Sequence, residues 1–174
     1  MAFLRNNMTT LEILEGVTGF LPPTPEEVRR CDQLEKNVRF EEGKDPRGLL
    51  PELFFLKVSV ALEYAVGMLQ QLGMSPEGVA QFHEFYTNRL SQGMTGAIQS
   101  VPGHGVALLK SRMQSYARAL HEKHPEDPHL NVADRFTRYA GCADEPQLTA
   151  LCLDTCKLLN RAFLDEIASL SRPQ

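Results

Sequence analysis

The chain has 174 residues, of which 43% are hydrophobic and 23% charged, with a formal net charge of −4. That length is enough for one domain over residues 1–174, with a core that holds without a disulfide or a metal. The slight acidic excess argues against direct nucleic-acid binding and against adhesion to an anionic membrane.

The opening eight residues, MAFLRNNM, contain no apolar run of the kind a secretory leader needs. Residues 1–9 are expected to be flexible. Four cysteines at irregular spacing read as reduced thiols, which places the protein in the cytoplasm.

A short helix is predicted over residues 10–18. From there prolines mark the helix starts. Thr24-Pro25-Glu26-Glu27 combines a cap residue, a first-turn proline and a glutamate three residues after the cap, which is a capping box. Ser75-Pro76 and Asp127-Pro128 repeat the cap–proline pairing, and Pro51 and Pro146 also suit a first turn, where a missing N–H has no bond to lose. Helices are predicted over residues 25–42, 51–72, 76–92 with an extension over 94–99, 105–124, 128–140 and 146–170. No alternating apolar run bounded by a hairpin turn is present in the sequence.

The segment 51–72 is apolar on nearly every side at roughly 100° per residue, with a narrow polar strip at Ser59, Glu63 and Gln70. A helix of that kind spans a membrane or forms the centre of a core. Lys57 and Glu63 fall in mid-run, and charge at mid-bilayer is costly, so the core reading holds. The expected fold is an all-α, compact bundle of six or seven helices around this buried central helix, with Phe54, Phe55, Leu62, Ala65 and Leu69 inside. Lys57 then either snorkels to the rim or pairs with a buried acid. Glu63, six residues on, does not share its face.

Several clusters invite chemistry. Pro102-Gly103-His104-Gly105 precedes a predicted helix, with Lys110 one turn further on, and helix N-termini attract anions. A phosphate loop would need the lysine directly after the last glycine, and here four residues intervene. His83 lies at the edge of an aromatic stripe of Phe82, Phe85 and Tyr86, which reads first as core but leaves a proximal haem ligand open. His83, Gly103, His104, Gly105 and Lys110 are therefore the candidate ligand-binding residues. His121, His124 and His129 cluster near a helix end, where positive charge complements the dipole; His121-Glu122-Lys123-His124 is one residue short of a zinc-protease motif. Cys152 and Cys156 share a face and Cys142 lies nearby, but they sit on an apolar side without a fourth ligand, so packing is favoured over zinc.

The apolar arc of segment 146–170 spans more than half its circumference. That width predicts a homodimer with Leu151, Leu158 and Ile167 at the interface, or internal cover by another helix. No catalytic residue, metal or cofactor is expected. The leading expectation is a non-catalytic cytoplasmic protein acting through a protein partner or through self-association. The alternative is a sensor bundle with a small molecule or haem held between segments 51–72, 76–92 and 105–124. A motif-free enzyme is the third class. Nucleic acid and membrane are not expected partners.

Overall fold

The computed structural model of the chain describes residues 22–71, 73–93 and 105–170. The helix expected over 10–18, the segment 1–9 and the extension over 94–99 lie outside the described residues. Six α-helices are described: α1 (Pro25–Asn37), α2 (Leu49–Gln71), α3 (Pro76–Gly93), α4 (Gly105–His121), α5 (Pro128–Ala140) and α6 (Pro146–Leu170). A single 3₁₀ turn, Pro46–Gly48, leads into α2.

Side-chain caps start these helices where the prolines indicated. The Glu27 amide donates to Thr24 Oγ1 at 3.2 Å, and the Thr24 amide donates back to Glu27 Oε2 at 2.7 Å, closing the capping box. The Gly78 amide donates to Ser75 Oγ at 3.2 Å, and the His129 amide to Asp127 Oδ1 at 2.8 Å. Gly73 and Gly141 end α2 and α5 at φ of 79° and 81°. Gly141 is doubly constrained: the left-handed backbone disfavours a side chain, and a Cβ there would lie 2.6 Å from Lys44 Cγ.

α2 is the axis of the bundle. Leu49, Leu53, Leu56, Val58, Val60, Ala61 and Ala65 are wholly buried along it, and all five other helices pack against it. Phe55, Leu62 and Leu69 are buried as expected, whereas Phe54 is half-buried. Among the described residues no helix is long and apolar enough to cross a membrane.

Two helix ends fall short of expectation, both because a tertiary bond captures the chain. α1 stops at Asn37 rather than Glu42. Beyond Val38 the strand-like segment runs beside the α5–α6 turn, where the Glu41 amide donates to the Gly141 carbonyl at 2.8 Å and Cys142 Sγ reaches the Arg39 carbonyl at 3.5 Å. α4 stops at His121 rather than His124. The Asn131 amide group then donates to the Glu122 carbonyl at 3.0 Å, and His124 Nδ1 accepts from the Glu126 and Asp127 amides. α2 in turn starts earlier than Pro51, at Leu49, whose side chain is fully buried.

Lys57 is settled as the partner of a buried acid. Its Nζ donates to Glu27 Oε2 at 2.7 Å and to the Pro22 carbonyl at 3.1 Å, and the Lys57 and Glu27 side chains are 4% and 7% exposed. The glutamate that caps α1 therefore also neutralises the only lysine buried in α2. One residue ties a local motif to the core.

Candidate functional site

The relative direction of three helices creates a cleft. Arg112 Nε donates to Glu52 Oε2 at 3.0 Å, and Glu63 Oε2 accepts from His121 Nε2 at 2.9 Å, so α2 and α4 run the same way. α3 returns antiparallel after the turn at Gly73, and its Tyr86 hydroxyl donates to the Val58 carbonyl at 3.2 Å. α3 and α4 flank α2 and leave about 420 Å³ between them. That volume lies within the range of about 300–1,000 Å³ common for small-molecule sites.

The floor is apolar and the walls are polar. Leu62, Met113 and Ala117 form the floor with Ser59, a buried residue whose Oγ donates to the Phe55 carbonyl at 2.6 Å. α3 supplies His83, Glu84, Thr87 and Asn88, α4 supplies Lys110 and Gln114, and α2 supplies Glu63. The charges are segregated. Glu63 is level with the C-terminal end of α4 through its bond to His121, and Lys110 sits toward the opposite end of that helix. Because α3 is antiparallel and Tyr86 is level with Val58, His83 and Glu84 lie on the Glu63 side and Asn88 on the Lys110 side. One end of the cleft is therefore acidic and the other basic. The Glu63 side chain is only 18% exposed, which sharpens its field relative to a surface carboxylate.

Of the candidate ligand residues, the structure brings His83 and Lys110 to the two walls of this cleft. Gly103 and His104 lie outside the described residues, and Gly105 opens α4. Ser59, Glu63, Glu84 and Gln114 were not singled out by sequence. The signal for two of them was present, since Ser59 and Glu63 form a polar strip four residues apart on an otherwise apolar helix.

A second polar cluster is structural. Glu52 is buried and accepts from the Tyr116 hydroxyl at 2.7 Å as well as from Arg112, whose guanidinium lies 3.5 Å over the Tyr139 ring centre. Burial holds the Glu52 carboxyl above its ordinary value of 4.5, against the opposing pull of Tyr116 and Arg112. Folded Glu52 thus keeps its proton over a range in which the unfolded chain has released it. Its contribution to stability is complete below pH 4.5 and is lost as pH rises through the folded value. Glu52→Gln is expected to flatten the fall in unfolding free energy above pH 4.5, read from urea titrations across pH. An unchanged slope would show that Glu52 is not the group responsible.

Tyr64, His129 and Asp127 form a relay. The Tyr64 hydroxyl donates to His129 Nε2 at 2.6 Å, and His129 Nδ1 donates to Asp127 Oδ1 at 2.7 Å. The order resembles a catalytic relay, but burial pushes the Tyr64 phenol well above its usual range, and the cleft does not reach it. Its geometry pins the start of α5 to α2. The three histidines seen as one cluster in sequence are separated into three local roles, at Glu63, at the α5 cap and at Tyr64.

The cysteines sit inside the bundle. Cys31, Cys142, Cys152 and Cys156 are all free and buried. Burial, reinforced by nearby carboxylates, pushes the Cys31 thiol up to about 12 and Cys142 up to about 11. Burial and then the adjacent Cys156 raise Cys152 strongly. Among the described residues no three His, Cys, Asp or Glu side chains converge as a metal site would.

The wide arc of α6 is largely consumed inside the chain. Leu148, Leu151, Cys152, Cys156, Leu159 and Phe163 are buried against the core, and Leu158 is 59% exposed. The Ile167 side chain lies outside the described residues. No protein-family model, curated protein or solved structure matches this chain.

Proposed function

We propose that this is a non-catalytic binding module of the cytoplasm that holds a small polar solute between α2, α3 and α4. The observation that carries the proposal is the cleft itself, where polar side chains from three helices surround an apolar floor. A few polar groups over apolar surface are what fixes the orientation of a small ligand. Among the described residues eight polar side chains line the open cleft and the apolar partners are Leu62, Met113 and Ala117, which suits such a solute better than the broad ring faces of a haem. Four free thiols with no activated partner fit a reducing compartment and give no support to thiol catalysis.

A screen of small polar solutes by protein NMR tests this reading. Solutes that bind should move the His83 ring and Met113 methyl signals, and should raise stability by about 2.7 kcal/mol at a hundred times their Kd. Ala117→Trp, which fills the half-buried floor, should abolish both effects with helicity intact. Binding that survives Ala117→Trp would place the site elsewhere. A second reading, self-association over α6, draws on one observation: Leu158 is exposed beside a groove of about 470 Å³ that Pro22, Leu159 and Ala162 also line. Sedimentation of the same samples, with Leu158→Asp as the control, separates it from solute binding.

A further inference from the structure

The charge layout of the cleft specifies its ligand more narrowly. Resting on the reading above, we infer that the cleft between α2, α3 and α4 takes a zwitterionic solute of short-peptide length, with its ammonium at Glu63 and Glu84 and its carboxylate at Lys110.

The two charged ends exclude simpler solutes. A plain anion drawn to Lys110 shares the cleft with two carboxylates, and a polyamine drawn to the carboxylates meets Lys110. A neutral ring system makes no ionic contact at either end. Only a solute with both charges uses the whole cleft, and like-charge juxtaposition rejects the others.

Length follows from helix geometry. Lys110 and His121, the residue bonded to Glu63, stand eleven positions apart on α4 (121 − 110), which is roughly 16 Å along the axis at about 1.5 Å per residue. Glu63 and Lys110 line the cleft toward opposite ends of that span, so the ligand has on the order of 10 Å to bridge. A single amino acid is too short. An extended chain covers about 3.3–3.6 Å per residue, so a tripeptide with free termini spans the gap.

The middle of the cleft matches a peptide backbone. Gln114 from α4 and Asn88 from α3 each present an amide side chain, which both donates and accepts and so complements peptide N–H and C=O groups. The apolar floor below them accommodates small side chains.

The test uses trialanine and its N-acetylated, C-amidated and doubly blocked forms, titrated into the full chain by calorimetry with the His83 ring signals followed by NMR. Free trialanine should bind, and blocking either terminus should weaken binding at least tenfold. Lys110→Gln should erase the discrimination between acid and amide while retaining that between amine and acetyl. Glu84→Gln should reduce the discrimination between amine and acetyl and leave the other intact. Both residues are exposed, so the variants retain the fold, and circular dichroism verifies this. Equal binding of the free and doubly blocked peptides at His83 would overturn the zwitterion assignment while leaving the cleft as a binding site. No binding by any of the four would overturn the peptide class, and the Ala117→Trp screen then decides independently whether the cleft binds solutes at all.

Discussion

Lys57→Met is expected to destabilise the protein by about 3–5 kcal/mol, because it leaves the Glu27 carboxylate buried without its counter-charge. A midpoint shift in urea or guanidinium titration reads this directly. The cost does not measure what the intact pair contributes. Two charges removed from water gain little net stability from each other, while one stranded charge is severely unfavourable. The double variant Lys57→Met with Glu27→Gln should therefore recover most of the loss. Part of the remainder belongs to the cap, since Glu27 Oε2 also accepts from the Thr24 amide. A single-variant cost below about 1 kcal/mol would show that water reaches the pair and relieves the stranded carboxylate.

Phe55→Ala should cost about 3–5 kcal/mol, and Phe54→Ala distinctly less. The two rings are neighbours in sequence with centroids 6.4 Å apart, yet Phe55 is 4% exposed and Phe54 only half-buried. Truncating Phe55 leaves a cavity in the buried core, where packed neighbours relax only partly to fill it. Truncating Phe54 removes surface that water already partly reaches. Equal costs at the two positions, measured by the same titrations, would show that α2 is rotated so that both rings face the core alike.

Much of the fold was legible because its signals are local. The cap–proline pairings at Thr24, Ser75 and Asp127 act over three residues or fewer, and α5 and α6 occupy the predicted ranges 128–140 and 146–170. The all-round apolarity of α2 marked it as central for the same reason, since hydrophobic periodicity is read along one helix. The candidate site was only partly legible. His83 and Lys110 were selected for separate reasons, from an aromatic stripe and from a glycine-rich turn, and nothing in either segment indicates that they face one cleft.

What the sequence by itself determined is the helical class, most of the helix starts and the identity of the axial helix. Each depends on residues within a turn or two of one another, where the backbone geometry is the same in any fold. Only the tertiary structure decided that Lys57 meets Glu27 thirty positions away, that Arg112 and Tyr116 satisfy Glu52, and that α6 buries Leu148, Leu151, Cys152, Cys156, Leu159 and Phe163 against the core while Leu158 stays exposed. It also decided the ends of α1 and α4, where bonds to Gly141 and Asn131 capture the chain before its helical pattern runs out. The polarity of the cleft belongs to the same class. It arises because α2 and α4 run parallel and α3 antiparallel, and helix direction is set by how faces pack, which no single segment encodes.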